Sequence, residues 1–204
     1  MTNNSPMRKI AGWQKTGGCA MISETATGMI PQEKEKHMNT EEAIFTRRSI
    51  RKYEERPVED EKIEKLLRAA MAAPSAMNQQ PWEFYVVKSK EKIKELAGTS
   101  PFAAFVAKAP LAIVICQKTG FSPAAQFKDV DCSIASENLW LMATELGLGA
   151  VWIGTAPAES RIERVGKVLG LPKNLKAFSL FAIGYPAEEK DAVDRYDEKR
   201  VHVI

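Results

Sequence analysis

Arg47-Arg48-Ser49-Ile50-Arg51-Lys52 places four cations and a hydroxyl within six residues, directly after the apolar helix start Ala43-Ile44-Phe45. In an extended segment side chains alternate, so Arg47, Ser49 and Arg51 point to one face and Ile50 to the other. Two guanidinium forks around a hydroxyl suit a phosphate dianion, because Arg donates bidentately and Ser adds a further donor. A solvated basic patch or a nucleic-acid footprint accounts for the same run, since charge runs usually sit in water. A second group lies downstream in Ser75-Ala76-Met77-Asn78-Gln79-Gln80, held between Pro74 and Pro81. Asn78 and Gln80 each carry donors and an acceptor that match a heteroaromatic ring with alternating N–H and C=O groups. The same amides would equally satisfy loop backbone. Taken together, the two groups describe a ligand with a phosphate at one end and a polar ring at the other, a mononucleotide.

Other chemistries find little support. Gly147-x-Gly149 lacks the third glycine of a dinucleotide fingerprint, with Trp152 at that position. It also precedes a strand, whereas the fingerprint follows one. A helix stop and tight turn explain it better. There is no P-loop, and no serine sits in a recognisable pattern with a histidine. Cys19, Cys116 and Cys132 show no CxxC spacing, and His37 and His202 form no metal-ligand motif, so no metal is expected. Acid pairs such as Glu188-Glu189 read as solvated tail charges. A formal charge of +3 is low for a nucleic-acid binder, which gathers much more positive charge on one face.

The elements that must position these residues follow from periodicity and punctuation. Asn39-Thr40-Glu41-Glu42 opens a short helix with Thr40 as N-cap. A second helix starts at Pro57 and places Ile63, Leu66, Leu67, Ala70 and Met71 at helical spacing, ending at Ala73-Pro74. Residues 83–87 read as a strand, 89–97 as a helix and 101–108 as a short helix. Leu111-Ala112-Ile113-Val114-Ile115-Cys116 is a continuous apolar run of strand length, hence a strand buried on both faces. Gln117 to Lys128 is the least regular stretch and reads as a lid, with Phe121 and Phe127 as candidate partners of a planar substrate. Asp131 to Leu146 is a helix apolar on nearly all sides, buried in a core or against a partner chain. Strands at 150–154 and 177–185 bracket a helix at 157–169, and a charged tail follows from 186. Helices and strands interleave, giving α/β or α+β with four central strands and helices on their faces.

Four blocks resemble the nitroreductase family in order and spacing: Arg47 to Tyr53, Ala73 to Trp82, Gly147 to Gly154, and Ile183-Gly184-Tyr185-Pro186. The resemblance covers residues 40 to about 200 and is to the short-chain members. It implies an α+β three-layer sandwich, with a central mainly antiparallel sheet flanked by helices, in an interlocked homodimer. FMN would lie at each of two sites in the subunit interface. On that basis Arg47 and Ser49 hold the phosphate, Arg48 lies beside it, and Arg51 reaches the pyrimidine end of the flavin. Pro74, Ser75 and Ala76 border the ring from the second subunit, with Asn78 and Gln80 nearby. Trp152, Ile153 and Gly154 run along its other side. Arg195, and with it Lys190, matches the family's late cation on the phosphate.

An FMN phosphate carries about two negative charges near neutral pH, which two or three arginines would neutralise. The chemistry would belong to the flavin, with the protein positioning and tuning it and no catalytic side chain required. The expected activity is ping-pong transfer from NAD(P)H to a small-molecule acceptor such as a nitroaromatic or quinone. A reductase or dehalogenase relative, a flavin carrier or redox sensor, and a nucleic-acid binder are the rival readings. Residues 1–38 are expected to be a flexible extension or an added leader, with Met38 as a natural start and 39–204 as one FMN-binding domain. They lack the apolar stretch of a secretion signal, and no segment reaches the length of a membrane span, so a cytoplasmic protein with no membrane or nucleic-acid partner is expected.

Overall fold

The structure is a computed structural model and describes residues 38–204. The expectation for the leader therefore falls outside the described residues, apart from Met38. The first helix, α1 (Thr40–Thr46), is capped by Asn39, one residue before the expected Thr40. Asn39 Oδ1 accepts from the Glu42 amide at 2.9 Å and Glu42 Oε2 accepts from the Asn39 amide at 3.1 Å. A cap at Thr40 would place Ala43 at the reciprocal position, where it has no side-chain acceptor.

Helix α2 (Asp60–Met71) buries Ile63, Leu66 and Ala70. It begins three residues after Pro57, because Glu59 serves as the extended N-cap residue and turns its carboxylate outward to Arg56 and Tyr185. Strand β1 (Trp82–Val87), α3 (Lys90–Ala97) and β2 (Leu111–Lys118) follow. The short helix expected near 101–108 is a 3-10 turn at Ala104–Lys108.

Helix α4 (Lys128–Glu145) starts one turn earlier than its apolar run suggested. Lys128 is buried there because its Nζ donates to the carbonyls of Lys118 at 2.9 Å and Gly120 at 2.5 Å. Within the chain α4 is buried along one face, through Cys132, Ala135, Ser136, Leu139 and Ala143. Val130 is exposed, and Ile134, Leu141 and Met142 are half-buried. Gly147, at φ 70°, ends the helix in the left-handed region, with the Leu148 amide returning to the Ala143 carbonyl at 2.8 Å. Strand β3 (Gly149–Gly154), α5 (Glu159–Leu169), stopped by left-handed Gly170, and β4 (Leu175–Gly184) complete the body.

The sheet has the order β1-β2-β4-β3, and every pairing is antiparallel. Leu111, Ile113 and Ile115 pack toward α2 and α4, while Ala112, Val114 and Cys116 pack toward α3 and α5. The sheet is thus covered on both faces, an α+β sandwich of three layers. The register slips between Ile115 and Cys116, so Phe178 joins the α4-side cluster beside Phe181, although simple alternation would send it to the other face. Inside that layer the Ser136 and Ser179 hydroxyls meet at 3.0 Å. Among the described residues, no helix is long and apolar enough to cross a membrane.

Candidate functional site

The segment after α1 is held to β3 before any side chain reaches a ligand. Ser49 bridges Ala150 in parallel, and the Ile50 amide donates to the Ala150 carbonyl at 3.0 Å. Trp140 Nε1 donates to that same carbonyl at 3.1 Å, joining α4 to the junction. Ile50 packs over Gly149 so closely that a Cβ there would lie 2.6 Å from Ile50 Cγ2. The Tyr53 hydroxyl sits between the carbonyls of Ile50, at 2.6 Å, and Ala182, at 3.0 Å. Burial raises its pKa well above the ordinary phenol value.

This frame turns the basic run into a cavity of about 310 Å³ lined by Arg47, Arg48, Ser49, Arg51, Trp140, Lys190 and Arg195. Strict alternation fails at Arg48, which lines the cavity together with Arg47 and Arg51. Arg47 is the C-cap of α1, at φ −53° and ψ 124°, so the segment leaves a helix instead of running as a regular strand. Arg47 stacks 4.0 Å over the Trp140 ring and pairs with Glu137 at 3.1 Å. Arg51 folds back toward the Ser49 carbonyl at 3.5 Å, 5.7 Å from the Phe105 ring.

The tail contributes more than its composition suggested. Ala187 donates to the Lys52 carbonyl at 3.0 Å, and Lys190 Nζ donates to the Ser49 carbonyl at 2.5 Å. Glu188 is not a solvated tail charge. It accepts from the Arg51 amide at 2.6 Å and pairs with Lys190 at 3.3 Å. The Arg51 amide, with help from Lys190, holds its carboxyl below the usual carboxylate range.

The cavity lining carries five cationic side chains and no carboxylate. Arg48 Nε is buried without a hydrogen-bond partner. A buried charged donor left unpaired is costly, and an anion in the cavity relieves it. The residues present therefore fit the phosphate end of a nucleotide.

The other expected residues lie outside this cavity. Pro74 is exposed, Ser75 and Ala76 are half-buried, and Asn78 and Gln80 are exposed. Asn78 and Gln80 bond to each other, with Gln80 Nε2 donating to Asn78 Oδ1 at 2.9 Å. Trp152, Ile153 and Gly154 lie on β3, an edge strand whose outer side is bridged only at Ala150 among the described residues. Trp152 is half-buried against Phe178 and Phe181, Ile153 is buried and Gly154 is exposed. Phe121 is 97% exposed and Phe127 is also exposed, so neither is ordinary core packing within the chain. The residues that sequence reasoning missed are Glu137, Trp140, Glu188, Gln79 and Asp131. All five act over long sequence separations.

The sequence pattern of the nitroreductase family matches residues 44–100 and 99–185. A protein of Methanothermobacter thermautotrophicus, provisionally named NADH dehydrogenase/NAD(P)H nitroreductase, is 43% identical over 81% of this chain and 87% of its own length. The structure of an FMN-dependent nitroreductase from Clostridium difficile is 36% identical, with a TM-score of 0.74 over 79% of this chain and 96% of that one. A Desulfovibrio desulfuricans protein provisionally described as a nitroreductase, solved in complex with FMN, is 27% identical with a TM-score of 0.67, covering 79% of this chain and 94% of that one. With four sequence blocks, the antiparallel three-layer body and these relatives in agreement, the chain belongs to the nitroreductase family.

Proposed function

We propose that this chain is an FMN-dependent oxidoreductase that passes hydride equivalents from NAD(P)H to an acceptor such as a nitroaromatic or quinone in a ping-pong cycle. The observation that carries this reading is the five-cation cavity with the unpartnered, buried Arg48 Nε, on a chain of this family. The names of the relatives support both the flavin and the nicotinamide donor. The cations converge on a cavity and do not spread over a face, which favours a small anion over a nucleic-acid backbone.

In this reading Arg47, Arg48 and Ser49 hold the FMN phosphate, with Lys190 and Arg195 closing over it. Arg51 serves the pyrimidine end. When bound, FMN supplies the hydride-carrying ring that the side chains lack. Pro74, Ser75, Ala76, Asn78 and Gln80 of a second copy border the ring, and Trp152, Ile153 and Gly154 flank it. Phe121 and Phe127 meet the planar acceptor. Exposed apolar side chains on α1, α2 and α4, namely Ile44, Phe45, Met71 and Val130, support a homodimer that covers them. Cys116 and Cys132 are buried free thiols, as a reducing, cytoplasmic setting allows.

The test is the visible spectrum of the purified protein, an FMN titration, and oxidation of NADH and NADPH with a panel of acceptors. Bound flavin with turnover is expected. Absence of flavin absorbance with no FMN uptake would overturn the reading, and tight FMN with no turnover would replace it with a carrier. Arg51→Ala is expected to weaken FMN binding or shift the reduction potential. No change in either removes Arg51 from the pyrimidine end.

A further inference from the structure

One side chain joins the loop at 75–80 to the irregular segment at 119–127. The Gln79 carboxamide oxygen accepts from the Ser122 hydroxyl. Its Nε2 donates to the Ala124 carbonyl at 3.0 Å and to Asp131 Oδ2 at 2.6 Å. Asp131 Oδ1 accepts from the Ala76 amide at 2.9 Å. Asp131 is only 2% exposed, and among the described residues no salt bridge includes it. A buried carboxylate must be satisfied by hydrogen bonds when no counter-charge is present. Both bonds it accepts come from the 76–79 stretch, so the loop solvates the carboxylate and the carboxylate orders the loop.

That ordering is needed. Met77, Asn78 and Gln80 have φ values of 52°, 52° and 43°, three non-glycine residues in the left-handed region within four positions, with Gln79 between them at φ −72°. Such backbone persists only where surrounding contacts over-determine it. The Gln80 amide adds one more tie, to Ser75 Oγ at 3.0 Å.

We infer that Gln79 is a positioning residue that latches the 75–80 loop to the 119–127 segment, so that the two open and close as one unit. Resting on the proposed function, the consequence is that acceptor selection by the Phe121 segment and the shape of the ring border are coupled through Gln79. Gln79→Met keeps the volume and removes the hydrogen bonds.

Hydrogen exchange on the purified full-length protein tests the latch. Gln79→Met is expected to speed exchange about tenfold or more in both segments, while β2 stays protected. Faster exchange in one segment alone, or in neither, overturns the proposal. Should that variant not fold, Ser122→Ala reads the same coupling. Faster exchange at 75–80, which it leaves chemically intact, supports the latch, and a change confined to 119–127 overturns it. In turnover, Gln79→Met should raise the acceptor KM. A fall in kcat with an unchanged acceptor KM counts against it. A wild type that takes up no FMN defeats the proposed function alone, and the exchange result still decides the latch.

Discussion

Gly149→Ala probes the junction that shapes the cationic cavity. The added Cβ would lie 2.6 Å from Ile50 Cγ2, 2.8 Å from Ile50 Cβ and 3.1 Å from Ile50 Cγ1. Carbon atoms pack at about 3.5–4.0 Å, so a gap of about 1 Å must open. Rotating Ile50 brings no relief, because its own Cβ is one of the clashing atoms. The backbone must move instead, against the Ile50–Ala150 hydrogen bond at 3.0 Å and the Tyr53 hydroxyl on the Ile50 carbonyl at 2.6 Å. Overpacking of this kind costs about 1–3 kcal/mol. For a chain of this size that lowers Tm by about 2–12 °C, at roughly 2–4 °C per kcal/mol. Lifting residues 49–51 from β3 also displaces Arg48 and Ser49, and losing one charge-assisted phosphate bond, about 1.5–3 kcal/mol, weakens FMN binding at least tenfold. Thermal unfolding and FMN titration measure both effects. Gly166→Ala on α5 is the control of opposite sign. Its Cβ would meet only Leu171 Cδ1, at 3.9 Å, and the change should stabilise by about 0.4–1 kcal/mol. If Gly149→Ala leaves both Tm and FMN affinity at wild-type values, the tight Ile50 junction does not shape the site.

Three further outcomes are expected. Ser136→Ala removes a hydroxyl that donates to the Cys132 carbonyl and meets Ser179, stranding a fully buried Ser179. It should cost about 1–3 kcal/mol in urea unfolding, and Ser136→Ala/Ser179→Ala should cost less than the sum of the single changes. Glu59 is held down to about 2, chiefly by the Tyr185 hydroxyl at 2.7 Å. A depressed folded-state pKa stabilises fully above the unfolded value, about 4.3, and that contribution drains away as pH falls through about 2. The stability gap between wild type and Tyr185→Phe should therefore be flat from pH 7 to about 5 and close toward pH 2. A gap that persists at pH 2 refutes the assignment. Burial pushes both Cys116 and Cys132 up to about 12, so iodoacetamide at about pH 8 should label neither in the native protein, as read by peptide mass mapping.

What could be read from the sequence was what repeats locally. The apolar run 111–116 announced a strand buried on both faces, and Gly147 and Gly170 marked helix ends that the structure places at φ 70° and 63°. The four family blocks located the cationic segment, the amide loop and the edge strand. Periodicity carries no information on contacts such as Arg51 with Glu188, 137 positions apart, or Gln79 with Asp131, 52 apart. Those contacts decide what the polar residues do. Sequence reasoning gave roles to Asn78 and Gln80 and none to Gln79, yet the Gln79 amide turns inward to a buried carboxylate while theirs meet each other at the surface. Arg48 was set beside the phosphate by resemblance alone, because alternation assigned it to the face of Ile50. The chain leaves α1 at Arg47 with helix-cap dihedrals, and that break in alternation lets neighbouring arginines share one cavity. Five converging cations repel one another, and Glu137 and Glu188 offset only Arg47 and Lys190. An anion in the cavity would offset that excess charge, as the proposed phosphate site requires.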